Sequence, residues 1–121
     1  MKFFSMILFV FFGMGCGRKI CSSEAKTNME IFQKQLNVIT SYEGGKKSVL
    51  VEDYRQALFF MSFVTGIDAK AGYSSTIGYS SKEDYKKNIQ EWKEWYKKNK
   101  CKLTDHYIDS VYKRVGLEYK R

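Results

Sequence analysis

Few residues in this chain of 121 could do chemistry. The thiols are Cys16, Cys21 and Cys101, and the only histidine is His106. Asp105, Asp109 and Ser110 surround that histidine, and these are the residue types of a nucleophilic triad. All four crowd about one turn of a helix, whereas a triad needs a base oriented from behind and open to substrate in front, so His106 reads as a surface residue. One histidine and three scattered cysteines do not make a metal-binding spacing. Gly44-Gly45-Lys46-Lys47-Ser48 has the look of a phosphate loop. However, Thr40 stands where the first glycine is needed, and Lys47 occupies the hydroxyl position after Lys46. Nothing marks any of the thirteen carboxylates as a catalytic pair. The expectation is a protein that is not an enzyme and carries neither metal nor cofactor.

The chemistry that remains belongs to the cysteines. Lys2 is followed by an apolar run, Phe3–Phe12, broken only by Ser5, and then by Gly13, Met14, Gly15 and Cys16. A basic start, an apolar core of roughly 7–15 residues and a small residue at the cut make an export signal. As a helix, the run from Phe3 to Gly15 rises only about 20 Å, too little for a hydrocarbon layer of about 30 Å. The residues up to Cys16 resemble the lipobox of bacterial lipoproteins, with Gly15 in the position before the cysteine. The resemblance implies cleavage before Cys16 and lipid on its thiol, hence a protein anchored in the cell envelope, at the periplasmic face of the outer membrane. Three cysteines are an odd number for an exported chain. Lipid on Cys16 leaves Cys21 and Cys101, whose pairing would close a loop of about 80 residues; both remaining free is the alternative.

Charge is the next constraint. The formal net charge is +8, and Lys82–Lys102 carries eight lysines against four acids. An exported, membrane-attached protein does not meet nucleic acid, so the excess points to an anionic envelope surface or an acidic protein partner, with Lys97 and Lys98 as candidate contacts. A solvated helix face is the plainer reading of the same lysines.

These groups must be positioned by about four helices. The chain divides into a signal (1–15), a lipidated tether (16–23) and one helical domain (24–121), with no proline to interrupt a helix. Thr27 and Glu30 have capping-box spacing and open a first helix with Ile31, Phe32, Leu36, Ile39 and Tyr42 on one stripe, closed by Gly44-Gly45. A second helix, Glu52–Thr65, is apolar nearly all round and belongs at the centre of the core, with Gly66 as its stop. Ser81 and Asp84 open a third, Lys82–Lys98, whose stripe is Tyr85, Ile89, Trp92 and Tyr96. It carries Glu83–Lys87 and Glu94–Lys98 as expected ion pairs. Thr104 caps a fourth with Tyr107 or Ile108, Val111, Tyr112 and Val115 inward, and the tail Leu117–Arg121 is expected to fray. The fold class is therefore an all-α bundle.

Gly66–Ser81 is unlike the rest. Gly-Tyr-Ser-Ser occurs twice in it, at Gly72–Ser75 and Gly78–Ser81. Tyr, Ser and Gly are what binding loops favour, which makes Tyr73 and Tyr79 candidate partner contacts. The competing reading has both tyrosines folded down to seal the core.

Thr65-Gly66, Gly78-Tyr79 and Trp92-x-x-Trp95-Tyr96 occur in an order that resembles the closing unit of some HEAT-repeat-like proteins and small Bacteroidota-type lipoproteins. The resemblance spans about forty residues and implies a helical packing or interaction unit. Two functions follow as expectations. The first is a lipid-anchored envelope protein that binds an anionic or protein partner. The alternative is an immunity-type lipoprotein that neutralises an exported toxin.

Overall fold

The computed structural model describes residues 20–46, 48–72 and 77–121. The apolar leader, Cys16 and Tyr73 lie outside the described residues. Four helices, α1 (Ser23–Glu43), α2 (Val51–Thr65), α3 (Lys82–Asn99) and α4 (Asp105–Arg114), carry the fold, so the class is all-α as the apolar spacing predicts. A single turn of 3-10 helix, Lys100–Lys102, links α3 to α4. Between α2 and α3 the strands β1 (Ala71–Gly72) and β2 (Gly78–Tyr79) pair antiparallel, with Ala71 opposite Tyr79.

Local signals set the helix ends. Ser81 Oγ accepts from the amide of Asp84 at 3.1 Å, and Thr104 Oγ1 accepts from the amide of Tyr107 at 3.2 Å, each satisfying an amide that the first turn leaves unpaired. Gly66 ends α2 at φ 70°, a left-handed conformation that costs glycine nothing.

The start of α1 is a correction. It begins four residues before Thr27, because Ser22 Oγ takes the amide of Ala25 at 3.1 Å and supplies the cap. Thr27 then sits inside the first turns, where its hydroxyl donates back to the carbonyl of Ser23.

The core forms where the apolar faces of all four helices meet. From α1 it takes Phe32, Leu36 and Ile39; from α2, Tyr54, Ala57, Leu58, Phe60, Met61 and Val64; from α3, Trp92; and from α4, Ile108, Val111 and Tyr112. Helix α2 contributes most because it is apolar on several sides, and α1 packs on it more extensively than any other element does. Phe32 lies among rings from two partners: Tyr96 stacks at 4.9 Å and Trp95 at 5.9 Å, and Phe60 meets it edge-on at 6.3 Å.

Two further expectations are overturned. Val115 does not face inward, since α4 ends at Arg114 and the residue is half exposed. The tail is held: Tyr119 packs on Phe60 and Tyr112, and Arg121 lies 3.3 Å from Asp105 and 3.0 Å from Asp109. Gly116, at φ 76°, turns the chain back so that these contacts can form. On α3, Lys87 pairs with Glu91, one turn toward the C-terminus, at 4.0 Å, in place of the expected Glu83 one turn before it.

Candidate interaction surfaces

Two regions carry the residues that the sequence singles out. The first is the end of the bundle where the chain enters. Cys21 and Cys101 are joined in a disulfide, with Cα atoms 4.8 Å apart and a sequence separation of 80. The bridge fastens the chain two residues before the start of α1 to the 3-10 turn after α3. A second tie runs beside it. The side-chain amide of Asn28, buried on α1, donates to the carbonyl of Leu103 and to Asp105 Oδ1, both at 2.8 Å. Glu24 also accepts the amide of Asp105.

Around the disulfide lies an open cavity of about 1100 Å³, lined by Ile20, Met29 and the cystine and by Lys26, Lys97, Lys98, Lys100 and Lys102. Every charged residue in that lining is a lysine. All five are exposed, and none is in an ion pair with a described residue. Lys102 lies over the ring of Tyr107, 5.6 Å from its centroid. Lys97 and Lys98 thus belong to a concave basic face that also draws on α1 and the 3-10 turn. The sequence could not group Lys26 with them, because Lys26 stands 71 positions before Lys97.

The second region is the β1–β2 hairpin. Tyr79 is half-buried, and its hydroxyl donates to Asn88 Oδ1 at 2.9 Å while its ring meets Tyr85 edge-on at 5.4 Å. Its amide points toward Glu43 at 3.4 Å. Tyr79 therefore folds onto the body of the protein, in line with the sealing reading.

Glu43 also accepts the Tyr54 hydroxyl at 2.5 Å, and Tyr42 stacks on Tyr54 at 3.9 Å. Burial, reinforced by the bond to Glu43, pushes the Tyr54 phenol far above its ordinary range. Burial raises Tyr85 too, with the Glu43 charge adding to it. A small cavity of about 290 Å³ opens here between Glu43, Tyr79, Tyr85, Lys82 and Lys86.

The triad residue types around His106 have other uses. Ser110 donates to the carbonyl of Tyr107 at 2.7 Å, Asp105 and Asp109 face Arg121, and the imidazole is exposed. Among the described residues no cluster of three His, Cys, Asp or Glu could hold a metal ion, and no helix is long and apolar enough to cross a membrane.

Sequence reasoning missed the two buried asparagines. Asn88 Oδ1 accepts the amide of Lys70 at 2.7 Å as well as the Tyr79 hydroxyl, and Asn88 Nδ2 donates to the carbonyl of Asp68. One signal was present: each asparagine falls on the apolar stripe of its helix, where a polar side chain must find partners. No protein-family model matches the chain, and no curated protein or solved structure does.

Proposed function

We propose that the protein is a lipid-anchored, non-catalytic interaction protein of the cell envelope, held through lipid on Cys16 at the periplasmic face of the outer membrane. The observation that carries this reading is the Cys21–Cys101 disulfide. Disulfides persist in oxidising compartments and are rare in reducing ones, which favours export. The bridge also accounts for two of the three cysteines and leaves Cys16, at the end of an apolar leader, for another chemistry. Its position supports attachment as well as export. Only four residues lie between Cys16 and Cys21, a reach of at most about 18 Å, so a lipid on Cys16 would keep the folded body against the membrane.

Intact mass spectrometry of the protein extracted from membranes tests the proposal. The expected species begins at Cys16, carries acyl chains there and is lighter by the two hydrogens of the disulfide. A species that retains residues 1–15, or that begins at Cys16 without lipid, overturns the anchor.

A further inference from the structure

We infer that the lysine-lined concavity around Cys21–Cys101 is a docking face for anionic phospholipid headgroups, which seats the protein on its membrane in one orientation. The inference rests on the anchored reading above and adds a defined surface and ligand class to it.

Three observations point the same way. First, the charge is uniform: Lys26, Lys97, Lys98, Lys100 and Lys102 line the cavity with no carboxylate among them. Four of them fall within Lys97–Lys102, and the fold adds Lys26 from α1 to that run. Elsewhere on α3 the lysines alternate with acids, and Lys87 is already paired with Glu91. Second, the face lies where the chain enters the bundle. Ile20 and Cys21 are both part of its lining, and Arg18 and Lys19 precede them in sequence. A chain anchored at Cys16 therefore meets the bilayer with this end, and no other described surface is so close along the chain. Third, the rim combines apolar and basic groups. Ile20 is 89% exposed at this rim, which suits insertion among acyl chains while the ammonium groups reach phosphates.

A lone surface lysine adds little, but several at the surface of an anionic bilayer act together, each strengthening binding about fivefold within a screening length of about 8 Å. Five lysines on one face are enough to hold a body that the lipid already keeps nearby, because the second contact is intramolecular.

The test uses the full processed protein reconstituted into vesicles of phosphatidylcholine alone, or with about 30 mol % phosphatidylglycerol. Acetylation of each lysine by an amine reagent is read by peptide mass spectrometry. We expect Lys26, Lys97, Lys98, Lys100 and Lys102 to be protected about fivefold or more by phosphatidylglycerol, and the protection to vanish near 0.5 M salt, with Lys34 and Lys113 unaffected. Equal labelling of the five lysines in the two vesicles overturns the inference. Equal protection by inorganic phosphate alone also overturns it, in favour of a free-anion site. Replacing Lys97, Lys98 and Lys100 by Gln keeps the fold, since all three are exposed, and should abolish the difference between vesicles. The two readings fail separately. Protection by phosphatidylglycerol in a chain whose intact mass shows no lipid supports the docking face and sinks the anchor. Lipid without protection does the reverse.

Discussion

The phenol of Tyr79 donates to the side-chain oxygen of Asn88 at 2.9 Å, fastening the β1–β2 hairpin to the inner face of α3. The same oxygen takes the amide of Lys70, and the Asn88 amide satisfies the carbonyl of Asp68. One fully buried side chain thus organises the connection between α2 and α3. Trp92, one turn further along α3, repeats the device by donating its indole N–H to the carbonyl of Ile67 at 3.1 Å.

Replacing Asn88 by Ala should therefore cost about 3 kcal/mol, because it removes the partners of a part-buried amide, a carbonyl and a phenol together. Tyr79→Phe removes a single bond and should cost about 1 kcal/mol. Urea unfolding monitored by tryptophan fluorescence measures both. A loss below about 1 kcal/mol for Asn88→Ala would show that water replaces these partners freely.

Reduction of the disulfide, or Cys101→Ser, should lower stability by up to about 4.5 kcal/mol in the chain-entropy model for a closed loop of 80 residues. The expected result is a lower melting temperature with helical circular dichroism retained before the transition, since Asn28 still ties α1 to Leu103 and Asp105. An unchanged melting temperature would mean that those bonds alone close the end of the bundle.

Alkaline pH should unfold the protein earlier than helix content alone suggests. Burial raises the phenols of Tyr54, Tyr85, Tyr107, Tyr112 and Tyr119 above their ordinary value of about 10. The folded state then keeps protons that the unfolded state releases. The contribution of these groups is complete below about pH 10 and is lost as the pH climbs toward the folded values. Stability measured against pH should be flat for these groups through neutrality and fall above about pH 10, with these five phenols ionising only as the chain unfolds. Tyr54→Phe should reduce that slope and also cost about 2 kcal/mol for the bond to Glu43. Ionisation of these five phenols near their ordinary value in the folded protein would contradict the buried network.

The tail offers a fourth test. Tyr119→Ala should cost about 2 kcal/mol, as a half-buried ring packed on Phe60 and Tyr112 is removed. Arg121→Ala, which removes only exposed ion pairs to Asp105 and Asp109, should have little effect. Hydrogen exchange in α4 distinguishes the two: rapid exchange in wild type would show that the tail does not hold.

Much of the bundle was legible because its signals are local. Ser81, Thr104 and Gly66 act within a few residues of where they stand, and the stripe Tyr54, Ala57, Leu58, Met61 and Val64 is buried as its spacing requires. The tail was not legible, because a basic pentapeptide after a glycine reads as solvated until Asp105 and Asp109 are placed opposite Arg121. Asn28 and Asn88 escaped for a related reason: their partners lie far away in sequence, on Leu103 and Asp105 and on Asp68, Lys70 and Tyr79. The candidate surface was legible in part. Lys97 and Lys98 stood out by density, but the concavity exists only once the cystine brings Lys26 beside them.

The covalent bridge at the chain's entry has a mechanical consequence. A pull applied to the leading end arrives at Cys21 and passes directly through sulfur to Cys101, so the segment 22–100, which contains α1, α2 and α3, carries none of the load. Beyond the bridge, the segment 102–121 can be drawn out, to about 70 Å when fully extended. Drag on the free end can therefore unravel α4 and the tail while most of the core stays slack inside a closed ring.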